Sequence, residues 1–168
     1  MGEKLFKESN MTEEIFTQTV KAYMDTIYRV ALNYLRDPSA AEDVCQEVFL
    51  RLFRIGQSFD SPEHCRNWLI HVAINECRRA LASPWRRIVT TDVLPDTGDD
   101  SDPAGESVFE TVMELPRKYR IVLHLYYFEG YSTKEIAQLL RLPNATVRSQ
   151  LDRGREILKQ RLLEAEHV

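Results

Sequence analysis

Arg148, Ser149 and Arg153 lie in the stretch Ser132 to Leu162, STKEIAQLLRLPNATVRSQLDRGREILKQRL, and offer hydrogen-bond donors and positive charge rather than a nucleophile. Guanidinium groups reach guanine edges and phosphate oxygens, and a hydroxyl serves either, so the set suits duplex DNA. A second set, Trp68, His71, Asn75, Arg78 and Arg79, recurs at the spacing of one helical face. A stacking ring, an amide edge and guanidinium groups on one stripe are what single-stranded nucleic acid requires. The alternative is a buried Trp68 that anchors a bundle, with an ordinary wetted face behind it. A third set, Asp43, Gln46, Glu47, Leu50 and Arg54, places a leucine among charges, which marks either a partner surface or a solvated face. No nucleophile elbow, phosphate loop or zinc-helix motif is present, so the chain reads as a non-enzyme without a cofactor. His64, Cys65, His71 and Cys77 fit no usual zinc spacing, and a metal enzyme built on them would have to carry stoichiometric metal.

Helices must position these sets. Ser132 and Glu135 form a capping box, opening a helix that turns Ile136, Ala137, Leu139 and Leu140 inward. Leu142-Pro143-Asn144 stops it, and Asn144 is the expected N-cap of a second helix with Val147, Leu151, Gly154 and Leu158 on its core side. At about 100° per residue, Ala145, Ser149, Asp152, Arg153 and Glu156 face outward, flanked by Arg148, Arg155 and Lys159. The pair is a helix-turn-helix, or else an ordinary helical hairpin with a charged outer face. The turn position that often holds glycine, to allow positive φ, holds Arg141.

Upstream, Phe16, Val20, Tyr23, Ile27, Val30, Ala31 and Tyr34 predict a helix from Thr12 to Asp37. Ser39 and Glu42 predict a capping box for a second, with Ala41, Val44, Val48, Leu52 and Ile55 inward and Gly56 closing it. Gly56 to Arg66 reads as a loop into a third helix near Asn67, whose core stripe is Ile70, Ala73, Ile74, Cys77 and Leu81. Residues 83–106 carry Pro84, Pro95, Pro103, Gly98 and Gly105 among Asp and Ser, and read as a flexible acidic linker. Beyond it Val108, Val112 and Leu115 pack, and Pro116 can sit in the first turn of a helix bearing Ile121, Val122, Leu125 and Tyr126.

The 168 residues, 43% hydrophobic, suffice for two small domains with their own cores. No apolar run has membrane-spanning length and no signal peptide is evident, so a cytoplasmic protein is expected. The odd set Cys45, Cys65 and Cys77 suits reduced thiols. A net charge of −4 is unfavourable for a protein whose only partner is DNA, because neutralising phosphates needs surplus Lys and Arg. Another component must supply affinity.

The run Leu115-Pro116, Arg120, Leu123, Glu129-Gly130-Tyr131-Ser132, Glu135-Ile136-Ala137, Leu140, Pro143, Thr146-Val147-Arg148-Ser149, Leu151 and Arg153-Gly154-Arg155 closely resembles the promoter-binding domain of bacterial extracytoplasmic-function sigma factors. Ala40-Ala41-Glu42-Asp43-Val44-Cys45-Gln46-Glu47-Val48-Phe49 and Asn67-Trp68-Leu69 with Ala73-Ile74-Asn75 are similar to that family's N-terminal domain. The resemblance implies that Asp43, Gln46, Glu47, Leu50 and Arg54 dock on the clamp helices of the largest subunit of core RNA polymerase. It implies that Trp68, His71, Asn75, Arg78 and Arg79 melt the minus-ten element, with Asn75 capturing a flipped base. Thr146, Arg148, Ser149, Arg153 and Arg155 would bind the minus-thirty-five element. Asp152 departs from the neutral or aromatic residue common in relatives.

The sequence therefore predicts an all-α protein of two small helical domains, 1–82 and 107–168, joined by the acidic linker 83–106, with a helix-turn-helix in the second. The expected function is that of a sigma factor directing core RNA polymerase to promoters in response to an envelope or other stress, with an anti-sigma factor as a further possible partner. The alternative is a helix-turn-helix regulator that works without polymerase and has no use for the Asp43 to Glu47 face.

Overall fold

The computed structural model describes residues 11–56, 59–83 and 103–167, with side chains in the last stretch from 108 onward. It divides into two compact units, Met1–Val93 and Leu94–Val168. The described elements are helical, with no strand among them. No described helix is long and apolar enough to cross a membrane.

The first unit is a three-helix bundle of α1 (Glu13–Leu35), α2 (Pro38–Ile55) and α3 (Pro62–Ala82). Thr12 caps α1 by accepting from the Ile15 amide, and Arg36 ends it in the left-handed region at φ 53°. Helix α2 starts earlier than the expected Ser39 box. Asp37 is its N-cap, accepting from the Ala40 amide at 3.2 Å, with Pro38 at the first helical position. A residue before proline is held extended, which is the conformation an N-cap needs, so the Asp-Pro step prevails over Ser39. Gly56 closes α2 at φ 57°, as expected.

Helix α3 also begins before its expected start near Asn67, at Pro62, with Ser61 capping the His64 amide at 3.1 Å. The polar sequence Glu63-His64 hid this turn, yet Cys65 within it is buried and the Tyr23 hydroxyl donates to the Pro62 carbonyl at 3.1 Å. The core combines Ile27, Val30, Ala31 and Leu32 with Ala41, Val44, Val48 and Leu52 and with Leu69, Ile70, Ala73, Ile74 and Cys77. Each large side chain fully buried there contributes about 1.5–3 kcal/mol. Ile55, expected inward, is instead 51% exposed because it lies in the last turn, past the end of the bundle core. The three cysteines are buried and in no disulfide, and burial with the nearby Glu42 carboxylate pushes the Cys45 thiol up to about 12.

The second unit comprises α4 (Pro103–Met113), α5 (Arg117–Leu123) continuing into a π-helical turn (His124–Phe128), α6 (Thr133–Leu140) and α7 (Asn144–Glu166). Helix α4 begins inside the span assigned as linker, and residues 84–102 of that span lie outside the described residues. Pro116 occupies the N-cap position of α5, one residue before the helix. Buried Arg120 donates to the Leu115 carbonyl at 3.1 Å and so fastens α5 to the turn before it. Gly154 lets α7 approach α5: a Cβ there would stand 3.2 Å from Leu123 and 3.3 Å from Tyr119. Leu158, expected in the core, is half-buried.

Both halves of the Ser132–Glu135 capping box form, at 2.8 and 3.1 Å. Arg141 then takes φ 55° at the end of α6, adopting the glycine-like conformation without glycine. Helix α7 starts one residue earlier than expected, with Pro143 and not Asn144 in the N-cap position and no side chain capping it. A left-handed conformation costs an L residue about 1–2 kcal/mol, partly offset by the greater unfolded-state freedom of glycine. Arg141→Gly is therefore expected to stabilise the protein by about 0.5–1 kcal/mol, read as a higher midpoint in urea unfolding. A lower midpoint would show that the Arg141 side chain contributes more than its backbone costs.

Candidate nucleic-acid interface

Helix α7 presents Arg148, Ser149 and Arg153 to solvent along its first half, while Thr146 is half-buried beside the core residue Val147. The Arg148 and Ser149 side chains make no hydrogen bond or ion pair among the described residues, so neither must leave a partner to meet a target. Arg153 pairs with Glu156 at 3.0 Å, and both side chains are more than half exposed. Such a pair is worth little and exchanges readily.

Arg155 is held differently. Its Nε donates to the Tyr127 hydroxyl at 2.6 Å and its Nη1 to Asp152 at 3.3 Å. Its guanidinium carbon lies 5.3 Å from the Tyr126 ring centroid and 5.6 Å from that of Tyr127. Desolvation works against its charge, but the Tyr127 bond and the neighbouring groups, Asp152 among them, outweigh this and raise its pKa. Asp152 therefore has a partner on its own helix. Tyr126 and Tyr127 were not among the expected site residues. The signal was the run Tyr126-Tyr127-Phe128, more consecutive aromatic surface than one core-facing stripe can absorb, and Tyr127 is indeed 55% exposed.

On α3 the stripe is present as one face, partly paired within itself. Trp68 is half-buried with its ring 5.6 Å from Phe59, so it neither sits wholly in the core nor stands free. His71 and Arg79 are exposed, and Asn75 and Arg78 half-buried. The Asn75 Oδ1 accepts from Arg78 at 3.2 Å. Glu76, beside the stripe, takes Arg79 at 3.3 Å and Arg51 of α2 at 2.7 Å. His64, Cys65, His71 and Cys77 form no group able to hold a metal ion, nor does any other set among the described residues.

On α2, Asp43, Gln46, Leu50 and Arg54 are exposed and Glu47 half-buried. Leu50 is joined at the edge of this face by exposed Phe53, whose ring meets Phe16 of α1 edge-on at 5.3 Å, while exposed Ile55 lies round the helix from both. The apolar part of this face is thus larger than the sequence pattern suggested. Phe53 lies three residues after Leu50, which was the available sign.

A helix-turn-helix with an exposed cationic face, in a chain that also carries a helical bundle with acidic-apolar and aromatic-basic faces, defines a DNA-binding factor built to act with a protein partner. Residues 19–87 match the Sigma-70 region 2 family and residues 106–158 the Sigma-70, region 4 family. The ECF RNA polymerase sigma factor SigW of Bacillus subtilis is 30% identical over 89% of this chain and 90% of its own length. The RNA polymerase sigma-H factor of Pseudomonas aeruginosa is 29% identical over 88% of this chain and 86% of its own. Among solved structures, the sigma factor RpoE from Bartonella quintana, in complex with the anti-sigma factor NepR, shares the fold with a TM-score of 0.68 at 19% identity, over 88% of this chain and 96% of its own. The chain belongs to the ECF RNA polymerase sigma factors. It is a transcription-initiation factor that directs RNA polymerase to promoters, and not an enzyme. A regulator working without polymerase is not favoured.

Proposed function

We propose that the three faces divide promoter recognition among them. The α2 face of Asp43, Gln46, Glu47, Leu50 and Arg54 docks on the clamp helices of the polymerase largest subunit. The α3 stripe of Trp68, His71, Asn75, Arg78 and Arg79 melts and holds the minus-ten element. The α7 residues Thr146, Arg148, Ser149, Arg153 and Arg155 meet the minus-thirty-five element. Residues 1–82 and 107–168 would be the working domains and 83–106 the acidic connection. The protein acts in the cytoplasm, in response to an envelope or other stress, and an anti-sigma factor that covered the α2 face would silence it.

The observation that carries this reading is the unpartnered, exposed pair Arg148 and Ser149 on the first two turns of α7, where a helix enters a major groove. Net charge supports the division of labour, since a chain at −4 lacks the surplus cations for tight DNA binding on its own. Run-off transcription with core polymerase over a promoter library tests the whole reading. Tight sequence-specific binding by the free chain at physiological salt would count against it.

Arg153→Ala is expected to weaken promoter binding by about 1–3 kcal/mol and to relax preference at one upstream position, if Arg153 leaves Glu156 for a base edge. The check is selection from a randomised minus-thirty-five library. An unchanged preference together with unchanged affinity would remove Arg153 from base reading.

A further inference from the structure

Arg148, Asp152, Arg155 and Lys159 fall along one flank of α7, between its outward face and its buried stripe. At 1.5 Å per residue Arg155 stands about 10 Å along the axis from Arg148, away from the end that would enter a groove first. Among the described residues Arg148 has no side-chain partner and Arg153 only the exposed Glu156, whereas Arg155 is held from several sides. Four contacts fix it: the 2.6 Å bond from Nε to Tyr127, the 3.3 Å bond to Asp152, and the faces of two tyrosine rings that themselves meet edge-on with centroids 4.9 Å apart. The charge remains reachable, for the Arg155 side chain is 41% exposed and Asp152 is 75% exposed. The guanidinium also has more N–H donors than these two partners use.

We infer that Tyr127 is a positioning residue that holds Arg155 as a pre-set clamp for a backbone phosphate of promoter DNA. This rests on the assignment of α7 to the promoter. A base reader needs reach and freedom to select an edge, whereas a phosphate contact is sequence-independent and gains from a donor already ordered. Holding the arginine in the free protein reduces the side-chain entropy lost on binding, which for a long side chain is considerable. Asp152 is the displaceable partner: its weak, solvent-exposed contact occupies Nη1 until phosphate arrives. The Tyr127 bond, on the Nε edge, can persist in the complex. This gives Asp152 a role compatible with DNA binding although it brings an acid to the face.

The test measures holoenzyme affinity for a promoter fragment as a function of salt, with each variant's folding confirmed by circular dichroism. Arg155→Ala should lower affinity equally on all promoter sequences and reduce the slope of log affinity against log salt by about 1. Tyr127→Phe keeps the ring and removes the hydroxyl, and should weaken binding about threefold to tenfold without changing base preference. Added to Arg155→Ala, it should have less than about a twofold effect, since Tyr127 acts through Arg155. Arg155→Lys should keep most of the salt slope yet lose the response to Tyr127→Phe, because an ammonium has no Nε edge. Equal effects of Tyr127→Phe with and without Arg155, no effect in a folded holoenzyme, or an altered base preference would each overturn the inference. Arg148→Ala and Arg153→Ala separate it from the reading beneath. If both leave promoter preference intact, the assignment of α7 falls and the clamp with it. If they shift preference while the Tyr127–Arg155 coupling is missing, the clamp alone falls.

Discussion

A chain carrying Asp43→Lys and Glu47→Lys together is expected to fold normally and to lose core RNA polymerase, with retention in a pull-down reduced about a hundredfold or more. Asp43 is exposed and Glu47 half-buried on the outer side of α2, and neither makes an ion pair or hydrogen bond among the described residues. Their replacement therefore removes nothing the bundle depends on, and Val44, Val48 and Leu52 remain buried beneath them. The face itself is changed completely: two carboxylates flanking exposed Leu50 become two ammonium groups. Carboxylates dock on basic groups, and ammonium groups set against such groups cost several kcal/mol, where truncation alone would lower mainly the on-rate. Transcription should fail in parallel, while the isolated DNA preference of the helix-turn-helix stays the same. Full polymerase retention by a folded double variant would move the docking surface elsewhere, with exposed Phe53 and Ile55 the next residues to test.

Asn75→Ala is expected to uncouple promoter melting from promoter binding. Duplex binding should hold within about twofold, whereas the open complex should fall by about tenfold to a hundredfold. Capturing a flipped base must offset an unstacking cost of a few kcal/mol, and each 1.4 kcal/mol lost is about a factor of ten. Asn75 is half-buried at the middle of the α3 stripe, and its Oδ1 holds the Arg78 guanidinium at 3.2 Å. The substitution thus removes an amide edge and also one of the bonds that set the Arg78 guanidinium. Permanganate footprinting reads melting directly, and normal reactivity with a folded variant would end the capture role. Trp68→Ala would be a less clean probe, because the indole packs on Phe59 and its loss disturbs the start of α3 as well as any stacking.

What was legible in the residues was largely what local physics decides. The Ser132–Glu135 box, the Gly56 cap and the core stripes of α3 and α7, save their half-buried last members Leu81 and Leu158, follow from spacing and capping chemistry, which act within a turn or two of helix. Where two local signals competed, reading failed by a few residues. Asp37-Pro38 prevailed over Ser39, Ser61-Pro62 opened α3 inside an apparent loop, and Pro143 displaced Asn144 from the N-cap position. In each case proline sets the backbone before or at the first turn, and at α2 and α7 this prevails over the rival caps Ser39 and Asn144.

The sequence by itself determined the all-helical class, the absence of a catalytic constellation, the family resemblance and the outward position of Arg148, Ser149 and Arg153. These depend on periodicity and residue type, and helical geometry converts both into faces. Pairs three residues apart, such as Asp152 with Arg155, lie within reach of helical spacing; only the tertiary structure decided which charges on those faces are engaged by residues distant in the chain. Tyr127 lies 28 positions before Arg155 and Arg51 lies 25 before Glu76, and no helical period links residues that far apart. Their pairing depends on how α7 packs beside the turn that ends α5, and how α2 packs on α3. Close packing of Gly154 against Leu123 and Tyr119 brings α7 to that distance from α5, and the same approach puts Arg155 within reach of the Tyr127 hydroxyl.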